Sequence, residues 1–540
     1  MIQTDQLPPF QGTEQPPFSD ARSAKAWLQL LPLINAPVAQ AELVEAIGQL
    51  NRSAIAPYES LKILELFREA VHLVHHTLAD RYLGRALPFG KDEMAAWTAA
   101  LGLWSTMAEG YARCWRAALE SVAEVEEHLV LLTERSMRYQ CLLVREHLLA
   151  YRPVSRELWQ TLFSYYQIAE SRGVAEKPAK DSLLKAAGVA TPQGVFIHAL
   201  LLAGASPYHF TARQIQWLDE RLPALAPRAP LEKEARSLPG RGALQIDFND
   251  PAPPRRTEPR MVGESIYEID TYQLAQALSR RIKLLRNGES PDKLGLGEQF
   301  AGTVVEGLLV DLYRTWCEQP TDRSLPRHVS SRQIEVVFGL SRQHQATGSA
   351  VGFELPEEQS SLDSQDLMRL HLFGQSASSA TATAEAPAAL GENWQVRNES
   401  ANGMQLSRVL TEGARISLQQ LLAVNLGGRY FVGVIRWLQQ EESQVVIGVK
   451  LLPGSPQAAT VRPVDMVNAG RRSWTECLWL PAAPSLKANP SLLLPVGWFR
   501  PGRLVEWWDG QGTRKIRLES VVERGVDFER VQYAVSAQGR

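Results

Sequence analysis

Apolar residues recur every three to four positions through the first 225 residues, and every second position beyond about residue 330. This change of period divides the chain. In the first part, Leu61, Leu64, Phe67, Val71, Val74 and Leu78 form one stripe of an amphipathic helix. Two further long helices are predicted over 91–121 and 122–151. Pro57, Pro88, Pro153, Pro192 and Pro207 stand between helical segments, where a residue without an amide donor is tolerated. The pattern predicts an all-α domain over 20–225, with eight or nine helices packed as antiparallel pairs. Residues 1–19, rich in Pro and Gln, are expected to form a flexible tail.

Trp159, Phe163, Tyr165, Tyr166 and Ala169 weakly resemble one helix of a tetratricopeptide repeat, but no second copy follows at that period. An irregular helical domain with an aromatic core is the expectation, and such domains present surfaces to protein partners. Between 223 and 262 eight prolines are interleaved with arginines, including Arg255 and Arg256. This reads as an extended Pro/Arg-rich linker over 226–265, with one candidate strand at Ala243–Phe248. Two connecting helices are expected within 266–320, over Asp270–Arg286 and Gly297–Glu318. Leu274, Leu278, Ile282 and Leu285 mark the first, and Val304, Leu308, Leu312 and Trp316 the second.

The β part opens with the alternation Ile334, Val336, Phe338, Leu340, and further strands are expected over Arg415–Leu422, Arg429–Gln439 and Gln444–Leu452. Residues 356–391 turn acidic and then Ala/Ser/Thr-rich. Their low apolar content predicts a disordered insert. Residues 456–540 read as a second small β module, with one of Trp507 and Trp508 in its core and the other at its surface.

Charge and composition narrow the function. The net charge of −2 gives no basic field for nucleic acid. No apolar run is long enough to span a bilayer, and the start lacks the basic and apolar regions of a secretion signal, so a cytoplasmic location is expected. Cys114, Cys141, Cys317 and Cys477 are scattered, without a Cys-x-x-Cys pair. His72 and His76, one helical turn apart with Glu69 a turn before, have zinc-like spacing, but no second motif supplies further ligands. A solvated or capping histidine face is expected, with no metal and no cofactor. No nucleophile elbow, phosphate loop or zinc-protease helix occurs, so no enzyme is expected.

The remaining chemistry lies in one turn and one arm. The turn is Asn398-Glu399-Ser400-Ala401-Asn402-Gly403, between strand residues Trp394, Val396 and Met404, Leu406. Asn398 and Ser400 offer short polar groups, and Gly403 can take positive φ and lets another group approach the backbone closely. The arm over 321–332 holds Arg323-Ser-Leu-Pro-Arg327, kept out of helix by Pro326. In an extended arm the two arginines sit ~13 Å apart on one side of the ribbon. Their planar forks suit phosphate or a guanine edge.

With Gly433-Val-Ile-Arg436-Trp437 and Gly448-Val449-Lys450 downstream, residues 321–455 resemble the PilZ domain, a small β-barrel receptor for cyclic di-GMP. The resemblance implies a barrel in which Arg323 and Arg327 grip guanine and phosphate. Asn398 and Ser400 would bond the nucleotide from the barrel, and Gly403 would keep the turn open. It implies a bacterial cyclic di-GMP effector whose helical domain meets a protein partner. The alternative is an adaptor with a PilZ-like barrel that binds no nucleotide.

Overall fold

The structure is a computed structural model that describes residues 12–184, 188–233, 243–257, 260–318, 328–349, 352–355, 390–410, 413–464 and 474–535. It divides into two compact units. One is Met1–Arg323 with Gln439–Glu441; the other is Ser324–Leu438 with Glu442–Arg540.

The first unit is built on α1 (Ala21–Leu30), α2 (Ala36–Asn51), α3 (Pro57–Ala79), α4 (Lys91–Leu119), α5 (Leu129–Leu149), α6 (Arg156–Ser171), α7 (Pro192–Gly204) and α8 (Ala212–Leu225). Their starts are coded locally. Asp20 accepts from the Ser23 amide at α1, Ser155 from Leu158 at α6, and Thr211 from Gln214 at α8. All six residues of the α3 stripe are buried, as are Trp159, Phe163, Tyr165, Tyr166 and Ala169. A two-stranded ribbon, β1 (Ala179–Lys180) with β2 (Val189–Ala190), joins α6 to α7.

The stretch expected as a linker is folded in its described part. It gives β3 (Leu231–Glu232), β4 (Ala243–Asp247), β5 (Arg255–Thr257) and β6 (Ile266–Ile269), an antiparallel sheet in the order β3-β6-β4-β5. Leu231, Leu244, Ile246 and Tyr267 enter the same core as the helices. That burial is the physical reason the prolines do not leave the segment extended in water. Arg256 Nε donates to the Thr315 carbonyl at 2.8 Å rather than facing solvent. The connecting helices follow as α9 (Tyr272–Arg286) and α10 (Gly302–Cys317).

Helix α5 runs through the middle of the unit with its charged residues buried and paired. Arg135 Nε lies 2.8 Å from Glu65 Oε1, and Arg68 Nη2 lies 2.6 Å from Asp181 Oδ1. Glu146 accepts from the Tyr82 hydroxyl and lies 2.8 Å from Arg145 Nη2 and 2.9 Å from His75 Nε2. Arg145 also reaches Asp219 Oδ2 at 3.2 Å, and His198 Nε2 is 2.7 Å from Asp219 Oδ1. The histidine face of α3 is therefore not solvated: His75 is buried against Glu146, and the His72 ring packs edge-on to Trp104 at 4.8 Å. Only His76 is exposed.

These environments fix the acid response. Burial, with Arg145 and Arg68 nearby, pushes the His72 imidazole down to about 3. Burial alone would raise the Asp219 carboxyl, but Arg145 and His198 hold it down to about 2. In both cases the unfolded chain binds the proton more readily than the folded one, so stability falls as pH falls. The His72 contribution starts below its unfolded value of about 6.5, and that of Asp219 below about 3.9. Denaturant unfolding followed by far-UV circular dichroism should show a loss of stability between pH 7 and pH 5, about 2 kcal/mol of it through His72, with His75 and His147, also lowered by burial, acting in the same direction. His72→Gln should flatten that slope.

The second unit begins with β7 (His328–Val329), β8 (Gln333–Phe338) and α11 (Leu340–Ser349). It continues with β9 (Glu392–Ser400), β10 (Gly403–Val409), β11 (Leu421–Leu426), β12 (Arg429–Gln440) and β13 (Gln444–Leu451). The sheet runs β10-β13-β12-β11-β8-β9, and pairing of β9 with β10 closes it into a barrel. Two details differ from the sequence reading. The strand expected over Arg415–Leu422 is β11, starting at Leu421, because the apolar run Leu421–Val424 pairs with β8 and β12. Helix α11 interrupts the β pattern, and its Leu340 and Ala346 are buried.

Strands β14 (Gln457–Pro463), β15 (Thr475–Leu480), β16 (Ser491–Leu494), β17 (Leu504–Trp508), β18 (Thr513–Arg524) and β19 (Glu529–Val535) form a second closed barrel. Trp507 is buried inside it, while Trp508 is half-exposed and donates to the Glu354 carbonyl at 3.0 Å. The two barrels keep separate sheets but share a core. Val337, Leu421, Ala423 and Val432 of the first meet Leu478, Leu480, Leu493 and Phe528 of the second, with α11 between.

Candidate functional site

The motif turn is the hairpin joining β9 to β10. Ser400 pairs with Gly403, leaving Ala401 and Asn402 as the two-residue loop. Trp394, Val396, Met404 and Leu406 point into the barrel and are buried. A register shift at Gln405/Leu406 makes Arg397 the extra residue of a bulge, so that Asn398 falls opposite Gln405 on the outer face. Asn398 Nδ2 donates to Gln405 Oε1, and the Ser400 hydroxyl donates to the Gly403 carbonyl at 3.2 Å. Asn398, Ser400 and Gly403 thus lie together on one half-exposed patch of the barrel's outer face.

Gly403 earns its place by close approach and not by positive φ. A Cβ there would sit 2.3 Å from the Val449 carbonyl oxygen of β13. The freedom to take a left-handed conformation is not used: the residue is ordinary strand, paired with Lys450. Gly403→Ala should therefore push β10 from β13 and destabilise the second unit by about 1–3 kcal/mol in denaturant unfolding.

Three side chains that the motif reading left unassigned share this face. Residues directly opposite in an antiparallel pair project from the same side. Gln405 faces Gly448, and the Trp437 indole fills the space above that glycine, 1.7 Å from where a Cβ would stand. Exposed Lys450 stands opposite Gly403. Trp437 and Lys450 were visible in the Gly-x-x-Arg-Trp and Gly-Val-Lys segments; what the sequence lacked was the register that brings them beside Asn398. Glu399 would repel an anion here, but Arg332 Nη2 lies 2.6 Å from its Oε2.

Arg323 and Arg327 lie outside the described residues, as does the insert 356–391 apart from its last two residues. The first described residue after the arm is His328. It pairs with Glu399, and Val329 pairs with Asn398, on the edge of β9 opposite β10. Strand β7 therefore runs beside the turn, with exposed side chains. Among the described residues no group of three His, Cys, Asp or Glu could hold a metal ion, and no helix is long and apolar enough to cross a membrane.

Known proteins resemble both ends of the chain. The family model for the N-terminal domain of the cyclic-di-GMP receptor FimW matches residues 22–236, and that for the FimW C-terminal beta-barrel domain matches residues 459–536. The cyclic-di-GMP receptor FimW of Pseudomonas aeruginosa is 26% identical over 338 residues, which cover 61% of this chain and 53% of that protein. The chain thus spans about half the length of the curated relative it matches. The two matched segments correspond to the helical region of the first unit and to the second barrel; the Asn398 turn falls in neither.

Proposed function

We propose that this chain is a cytoplasmic receptor for cyclic di-GMP, without catalytic activity, in which nucleotide held by the arm and the turn repositions the helical region toward a protein partner. The observation that carries this reading is the pairing of β7 with β9. The residue after Arg327 sits opposite Glu399, between Asn398 and Ser400, so the covalent path from the arginine arm begins at the turn. His328, which follows Arg327 in the chain, is thus paired into the hairpin that carries Asn398 and Ser400. Arg323 and Arg327 would bond guanine and phosphate with their forked donors. Asn398 and Ser400 would exchange their internal hydrogen bonds for bonds to the ligand. The similarity of both ends to a cyclic-di-GMP receptor supports the same ligand from segments that do not contain the motif.

The arm is also the covalent link from α10 to the barrel. Pinning it across a ligand would fix that connection, which is one known way for a ligand to switch an effector. Calorimetric titration of the full chain with cyclic di-GMP, with GTP as control, should show saturable binding to the first alone. One observation favours the adaptor reading: Asn398 and Ser400 already bond to the barrel itself. On that reading the titration gives no heat of binding, and hydrogen exchange over residues 321–332 does not change.

A further inference from the structure

Charges near the motif turn are mostly committed to neighbours. Arg332 Nη2 lies 2.6 Å from Glu399 Oε2, and Arg397 Nη2 donates to Gln444 Oε1 at 2.8 Å. Lys450 differs. It is exposed, and its ammonium group makes no hydrogen bond or ion pair among the described residues. An unpaired surface lysine is ordinary by itself; its place in the sheet singles this one out. Gly403 pairs with Ser400 of β9 on one side and with Lys450 of β13 on the other. Residues directly opposite in antiparallel strands project from the same face. Ser400, Gly403 and Lys450 therefore form one row across three strands. Neighbouring strands lie about 4.8 Å apart, which sets the Cα atoms of Ser400 and Lys450 roughly 10 Å from each other with no side chain between them. The next row holds Asn398, Gln405 and Gly448, with the Trp437 indole over that glycine. The bare backbone at Gly403 is thus flanked by a hydroxyl and an ammonium group, and two carboxamides stand beside it.

A phosphodiester suits that place. A hydroxyl can donate to one of its oxygens, and a lysine offers three donors on a mobile stem to the other. The carboxylate next to Ser400, Glu399, is already neutralised by Arg332 and does not oppose an anion. We infer that Lys450 is a phosphate-binding residue of the nucleotide site, holding one phosphodiester of cyclic di-GMP over Gly403 against the Ser400 hydroxyl. This rests on the proposal that the turn binds cyclic di-GMP, and it adds a residue that the arm and the turn do not contain. A lysine is a compact point charge without a planar fork, so it contributes attraction for the phosphate and not recognition of the base.

The test is calorimetric titration of the full chain with cyclic di-GMP, repeated over a series of sodium chloride concentrations. Lys450→Gln should weaken binding about five- to tenfold, the range for a charge-assisted bond that stays partly in water. Its affinity should also fall less steeply with added salt than that of the wild type, because one screened attraction is gone. Lys450→Arg should keep both the affinity and the slope. Lys515→Gln, which removes another exposed charge from β18 of the second barrel, should change neither. Both positions are exposed, so the variants should melt with the wild type. Wild-type affinity and slope in Lys450→Gln, or an equal loss in Lys515→Gln, would overturn the assignment and leave nucleotide binding in place. Weaker binding with an unchanged slope, or without recovery in Lys450→Arg, would overturn it too, since the effect would then lie in the shape of the turn and not in the charge. A wild type that binds no cyclic di-GMP would remove the nucleotide site and this residue's part in it together.

Discussion

Replacing Glu146 by alanine should cost the helical region about 3–5 kcal/mol, the scale for removing one partner of a buried ion pair. The carboxylate is fully buried, accepts from Tyr82, and lies beside both Arg145 and His75. Without it Arg145 keeps only Asp219, and Tyr82 is left with a buried hydroxyl. Tyr82→Phe is the graded control. It removes a single donor and should cost about 1–3 kcal/mol, the hydroxyl's bond being to a charged group. Denaturant unfolding followed by far-UV circular dichroism measures both. A Glu146→Ala protein within 1 kcal/mol of the wild type would mean that water or rearrangement compensates inside α5.

Arg327→Ala should weaken cyclic di-GMP binding by more than about 1.5 kcal/mol, roughly tenfold, which is the worth of a charge-assisted bond. Its melting temperature should stay near that of the wild type, since the side chain precedes the barrel's first strand. Calorimetry showing wild-type affinity would remove the arm from the site. Loss of binding together with loss of folding would instead implicate β7, and a His328→Ala control would show it.

The helices were legible because their information is local. A stripe at 3.6-residue spacing, a capping Ser or Thr and a proline are each read within a few residues, and Leu61 to Leu78 are buried as their spacing required. Of the sheet of residues 231–269 only β4 was legible, as the strand expected over Ala243–Phe248; β3, β5 and β6 were not. The unread strands are two to four residues long and sit among prolines, and packing of Leu231, Tyr267 and Ile269 against the helical core is what makes β3 and β6 strands. Helix α11 was hidden for a similar reason: Leu-Ser-Arg-Gln-His-Gln-Ala carries little apolar content and is buried between two barrels. At the site, the motif gave Asn398, Ser400 and Gly403, and all three share one face. The neighbours Gln405, Trp437 and Lys450 depend on a bulge and on register, which no local pattern encodes.

The core shared by the two barrels makes them a single thermodynamic object. Leu478, Leu480, Leu493 and Phe528 cover Val337, Leu421 and Val432, so a chain cut at residue 455 would leave an apolar wall of the first barrel in water. Scanning calorimetry of the second unit should therefore give one endotherm whose van't Hoff and calorimetric enthalpies agree. A substitution inside the C-terminal barrel, such as Leu492→Ala, should reach the face proposed for the nucleotide not through any contact with it but by lowering the midpoint at which that face ceases to exist.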